Sequence, residues 1–126
     1  GFDDALYVAM RLIGRLARTG EKLSALRDHL PDMVNTPEIR IEVDERQKFG
    51  AVERIKTWLA NASASQVNDI DGVRVSTDDG WWLLRASNTQ NVLVARCEAE
   101  TANGLERLKA ALVDQVRASG IEPPNF

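Results

Sequence analysis

The chain has 126 residues, 44% of them hydrophobic and 28% charged, which is enough for one compact domain of ordinary globular composition. A net charge of −3 argues against a general nucleic-acid or anionic-membrane binder, which carries a basic surplus. The lone cysteine, Cys97, excludes an internal disulfide and fits a reducing, cytoplasmic compartment. No apolar run approaches the roughly 20 residues that span a bilayer.

The opening Gly1-Phe2-Asp3-Asp4 is not a signal peptide, because acidic residues precede the apolar stretch. It lacks an initiator Met and enters a helical pattern at once, so the expectation is a piece of a longer chain. Asp3 is the expected cap of a helix carried by Leu6, Ala9, Met10, Ile13, Leu16 and Ala17 and ended by Gly20. Arg11, Arg15, Arg18 and Lys22 share its other face, a solvated stripe rather than a membrane surface. Ser24 is the expected cap of a short second helix reaching Leu30. Pro31 to Pro37 reads as a linker.

The pattern then changes. Ile39, Ile41 and Val43 alternate with polar residues, as in a strand with one wet face. Phe49, Val52, Ile55 and Leu59 mark a helix from about Glu45 to Ala62, with Trp58 at the border of its apolar face. A small polar loop covers Ala62 to Asn68. Val73 and Val75 lie on a second strand, and Asp78-Asp79-Gly80 turns into a third, Trp81 to Ala86. The fourth runs from Asn91 to Ala99, with Leu93, Ala95, Cys97 and Ala99 on the buried face. Thr101 caps a last helix carried by Leu105, Leu108, Leu112 and Val116 and ended by Gly120 and Pro123-Pro124.

The order after the linker is β-α-β-β-β-α. This predicts an α+β domain of about 90 residues, a four-stranded and mainly antiparallel sheet with two helices on one face. The division is therefore residues 1–30, foreign helices; 31–37, linker; and 38–126, the α+β domain.

The stretch that carries chemistry is Arg85-Ala86-Ser87-Asn88-Thr89, at a hairpin tip between two apolar strands. A guanidinium presents donors in a planar fork that matches two phosphate oxygens. Ser87 and Thr89 each add a hydroxyl and Asn88 an amide, and backbone N–H groups at a tight turn can converge on the same anion. The competing reading is a plain hairpin, since Ser, Asn and Thr are common turn residues. Arg74 and Arg96 on neighbouring strands add positive potential or simply face solvent.

Other candidates fall away. Asn68-Asp69-Ile70-Asp71-Gly72 fails as a calcium loop, because Val67 would occupy the first ligand position. His29 has no nucleophile or acid partner in sequence and stands at a helix end. Cys97 reads as a small buried residue. Trp81 and Trp82 point to opposite sheet faces, one of them into the core. No Walker loop, dinucleotide fingerprint or zinc spacing is present.

An ordered series of motifs resembles the C-terminal part of the bacterial phosphomannomutase/phosphoglucomutase family, in the α-D-phosphohexomutase superfamily. Asp3-Asp4-Ala5-Leu6-Tyr7 is similar to the start of the last helix of that family's third domain, and Asn35-Thr36-Pro37-Glu38-Ile39 to the opening of its fourth. Asp71-Gly72-Val73-Arg74-Val75, Gly80-Trp81 and Leu84-Arg85-Ala86-Ser87-Asn88-Thr89 resemble its phosphate-binding core. Thr101, the helix Leu105-Glu106-Arg107-Leu108-Lys109 and the tail Pro123-Pro124-Asn125-Phe126 continue the series. Gln90-Asn91 departs where the family often has a proline, and Asn103-Gly104 departs at the last helix start, which weakens the expected cap.

The resemblance implies a parent enzyme, an intramolecular phosphotransferase. A phosphoserine in its first domain, with Mg²⁺ beside it, exchanges phosphoryl groups with mannose or glucose 1- or 6-phosphate. Residues 1–30 then become the end of the preceding mutase domain and 31–37 a hinge. Arg85, Ser87, Asn88 and Thr89 match the residues that grip the phosphate not being transferred, and the domain closes over the active site. The chain lacks the family's phosphoserine loop and metal aspartates, so the resemblance implies no catalytic or metal-binding residue within it, and the piece alone is expected to be inactive. The alternative is a non-catalytic α+β protein-interaction or regulatory module.

Overall fold

A computed structural model describes residues 3–61 and 66–125; the sequence readings that fall on Gly1, Phe2, residues 62–65 and Phe126 lie outside the described residues. The chain forms two compact units, Gly1–Asp32 and Met33–Phe126.

The first unit holds α1 (Ala5–Thr19) and α2 (Leu23–Asp28). Asp4, not Asp3, caps α1, accepting the Tyr7 N–H at 2.9 Å. The helix begins at Ala5, so only Asp4 stands at the position whose carboxylate reaches the free N–H groups of the first turn. Gly20 closes α1 in the left-handed conformation, as expected. Ser24 does not cap α2: the helix starts one residue earlier, and Lys22 at the capping position makes no side-chain bond. His29 ends α2, exposed, with Nε2 3.5 Å from Glu21.

The second unit is an α+β sandwich of one sheet and two helices. Its elements are β1 (Val34–Asn35), β2 (Ile39–Glu42), α3 (Glu45–Ala60), β3 (Gln66–Asn68), β4 (Val73–Thr77), β5 (Gly80–Ala86), β6 (Val92–Ala99) and α4 (Ala102–Ala118). The sheet has six strands rather than four, all paired antiparallel. The two additions are short and carry no alternation to read. β1 lies between the two prolines and pairs with the end of β6, while β3 is exposed at every residue and pairs with β4.

β6 is the hub. It pairs along its length with β5, while its other edge takes β2 at residues 92–95 and β1 at 98–99. Leu93, Ala95, Cys97 and Ala99 are fully buried, as their alternation predicts. With Val73, Val75, Trp82 and Leu84 they form the floor on which α3 and α4 pack through Ile55, Leu108, Leu112 and Val116. Each large side chain buried this way contributes roughly 1.5–3 kcal/mol of transfer free energy. Burial also pushes the Cys97 thiol up to about 11, so it is an un-ionised core residue at neutral pH.

The buried stripe of α3 differs from the expected one. Phe49 is half exposed, and Lys48, only 3% exposed, takes the inward position. Lys48, Ala51, Val52 and Ile55 follow the i, i+3, i+4, i+7 spacing of one helix face, which leaves Phe49 at its margin. At the far hairpin, Asp79 holds α4: its carboxylate accepts from both Arg107 Nε, at 2.8 Å, and Arg107 Nη2. Thr101 caps α4 by accepting the Gly104 N–H at 3.0 Å, so the cap is made despite Asn103-Gly104.

Two outcomes follow from this packing. Leu84→Ala, which empties a fully buried site, should cost about 2–5 kcal/mol of stability in denaturant unfolding, with the slope unchanged. The hydrogen bond from Arg107 holds the Asp79 carboxyl below the ordinary 3.8. Its stabilisation is therefore present above pH 3.8 and lost as pH falls through the lower folded value. A carboxyl-resolved NMR titration should show that low midpoint, and Arg107→Ala should return it toward the ordinary one.

Candidate phosphate-binding site

The β5–β6 connection presents Arg85 to Thr89 at the end of the sheet. Ser87 N–H donates to the Val92 carbonyl at 3.0 Å, carrying the ladder one residue past the end of β5. Leu84 points into the core, so alternation places Arg85 on the face away from the helices. Continuing that alternation puts Ser87 on the side of Arg85.

Ser87 is 9% exposed and organises the turn. Its Oγ accepts the Thr89 N–H at 3.4 Å and the Gln90 N–H at 3.2 Å. A hydroxyl has two acceptor lone pairs and one donor proton. With both lone pairs engaged by the backbone, the remaining capacity of Ser87 is to donate. The N–H groups of Ser87, Thr89 and Gln90 all bond within the protein, so any anion held here would meet side chains rather than a ring of these amides.

Asn88 and Thr89 are exposed at the tip. Asn88 borders a small cleft that also takes in Phe49, Lys56, Asp71 and Gly72. Arg85 is partly exposed, and its Nη1 lies 3.9 Å from Asp71 Oδ2. An exposed pair at that distance is worth little, so a doubly charged phosphate can displace the carboxylate from the fork. The four predicted residues thus lie at the end of β5 and in the turn that follows it: a loosely held guanidinium, a donor hydroxyl and two exposed polar tips.

Gly72 sets how Arg85 sits. Its φ is +75°, and a Cβ there would lie 2.5 Å from Arg85 Cβ and 2.4 Å from the Leu84 carbonyl oxygen. Only glycine allows both the conformation and the approach. The Asp-Gly step before β4 carried a signal in sequence, through its place in the Asp71–Val75 motif. Lys48 carried none, and Gln90 stood out only as part of the Gln90-Asn91 departure from the family's proline. Lys48 Nζ donates to the Gln90 carbonyl at 3.2 Å, and Gln90 Oε1 accepts from Arg40 Nη2.

Arg74 and Arg96 are not gathered into this turn. Arg74 stacks on the Trp81 ring, 4.7 Å from its centroid, and Arg96 lies 3.9 Å from Glu98. Both interactions occupy the open sheet face. Trp82 is the core member of the tryptophan pair, 2% exposed.

The family described as phosphoglucomutase/phosphomannomutase, C-terminal domain, matches residues 38–115. A phosphomannomutase/phosphoglucomutase from Pseudomonas aeruginosa is 40% identical over 118 residues, covering 94% of this chain and 25% of the relative. A phosphoglucomutase from Neisseria gonorrhoeae is 37% identical over 110 residues, or 86% of this chain and 24% of the relative. The crystal structure of a phosphoglucomutase/phosphomannomutase family protein from Burkholderia thailandensis superposes with a TM-score of 0.78 at 34% identity, covering 99% of this chain and 26% of that one. The chain therefore spans about a quarter of the length of these relatives. The matched residues hold β2 to β6, α3 and most of α4, and the chain belongs to the phosphoglucomutase/phosphomannomutase C-terminal domain family.

Proposed function

We propose that this chain grips the non-transferred phosphate of a hexose phosphate, as the C-terminal part of a phosphohexomutase. The observation that carries the reading is Ser87: its lone pairs are filled by the Thr89 and Gln90 N–H groups, which leaves its hydroxyl a committed donor beside a displaceable Arg85 fork. This chain's part in catalysis is positioning. Binding energy on the phosphate that does not react orients the sugar toward chemistry carried out elsewhere.

A mutase reaction in which the bisphosphorylated sugar turns round presents either phosphate to the same grip. Recognition centred on phosphate, with weaker demands on mannose or glucose, suits that requirement. The exposed apolar residues of α1, among them Leu6, Val8, Met10 and Ile13, suit a segment that packs into a preceding domain. We place the hinge for closure over the substrate in residues 31–37, the linker read from the sequence. A cytoplasmic setting suits the reduced, buried Cys97.

Mg²⁺ would supply electrostatic activation at the phosphoserine of the parent enzyme. Among the described residues no three His, Cys, Asp or Glu side chains come together to hold a metal ion. The chain alone is expected to be inactive.

Glucose 1-phosphate titrated into the labelled chain should shift the amide signals of Arg85–Thr89 weakly and selectively, and unchanged spectra at high millimolar ligand would count against the grip. In the full enzyme, Arg85→Ala removes at least one charge-assisted hydrogen bond, about 1.5–3 kcal/mol. Steady-state kinetics should show kcat/KM falling roughly 10- to 150-fold. Gly72→Ala forces a Cβ into Arg85 at positive φ, so it should cost about 1–3 kcal/mol of stability and weaken phosphate binding with it.

A further inference from the structure

We infer that Lys48 is a positioning residue for the phosphate grip, holding Gln90 so that Ser87 is kept as a donor. The inference rests on the proposed function and extends it to a residue on α3, three strands earlier in sequence. Lys48 is 3% exposed, although a lysine ammonium is strongly hydrated and is rarely buried unpaired. Its neighbours Arg46 and Gln47 are exposed. Among the described residues it makes no ion pair; its Nζ donates to the Gln90 carbonyl at 3.2 Å and lies 5.2 Å from the Phe49 ring centroid.

Gln90 is the point where the loop is held. Its carbonyl faces Lys48, its side-chain oxygen accepts from Arg40 of β2, and its N–H donates to Ser87 Oγ. The neighbouring Asn91 carbonyl accepts the Val43 N–H at 3.0 Å. Anchors from α3, from β2 and from the turn itself thus meet on one residue. With its carbonyl held from α3 and its side chain from β2, residue 90 is fixed at the end of the turn, which keeps its N–H within reach of Ser87 Oγ and leaves the Ser87 proton free to be donated. The buried ammonium also places a positive charge beneath the turn, where low polarisability weakens screening. Burial of an unpaired charge opposes stability, so the position trades stability for a fixed and electropositive loop.

The test is Lys48→Met, which keeps the stem and removes charge and donor, in this chain titrated with inorganic phosphate. The expected result is thermal stability equal to or above wild type, faster hydrogen exchange at the Thr89 and Gln90 amides, and phosphate binding about three- to ten-fold weaker. A merely structural lysine would move stability and leave binding alone. Lys48→Gln, which keeps an N–H donor without the charge, should retain slow Gln90 exchange and still bind phosphate more weakly; it carries the test should Lys48→Met not fold. Wild-type exchange and affinity in these variants would overturn the inference. Wild-type chain that shows no shift at Arg85–Thr89 would instead overturn the proposed function, and the Gln90 exchange rate then decides the anchoring role alone.

Discussion

Antiparallel registration of β5 against β6, from Gly80↔Ala99 to Ala86↔Leu93, ties the core to the loop. The same ladder that turns Trp82, Leu84, Leu93, Ala95 and Cys97 toward α3 and α4 turns Arg85 outward. A slip of one residue would exchange the two faces, burying the guanidinium and exposing Leu84. The core thereby fixes the side on which the cation stands. Because β6 also pairs with β1 and β2, the strand that closes the loop is held along both edges.

The turn above this ladder is built to keep its donors pointed outward. Internal hydrogen bonds consume the acceptor capacity of Ser87, and Gln90 is held from α3 and β2. The Arg85 guanidinium, by contrast, makes one exposed charge contact among the described residues, with Asp71. A rigid hydroxyl beside an adaptable cation suits recognition of a phosphate, whose charge does not depend on which end of a sugar carries it. Under the proposed function, pre-ordering the turn lowers the entropic cost of binding.

Much of this was legible in sequence because it rests on period. Alternation revealed the buried face of β6, and the 3.6-residue repeat revealed α4 and its cap at Thr101. The donors of Arg85–Thr89 were visible as residue types. β1 and β3 were not, since two or three polar or exposed residues leave no pattern and owe their form to the strands beside them. Lys48 was hidden for a different reason. A lysine inside an apolar stripe reads as a break in it, and only the carbonyl of Gln90, 42 residues away, makes the inward position tolerable. Gly72 needed the tertiary contact with Arg85 to explain its presence.

A crystal structure of the full-length enzyme with a bisphosphorylated hexose tests the central claim most directly. The account predicts the non-reacting phosphate within about 3 Å of Ser87 Oγ and of the Arg85 guanidinium, with Asp71 displaced and Gln90 still bonded to Lys48. A phosphate held elsewhere, with the Arg85–Thr89 turn facing solvent and Arg85 still on Asp71, would contradict it.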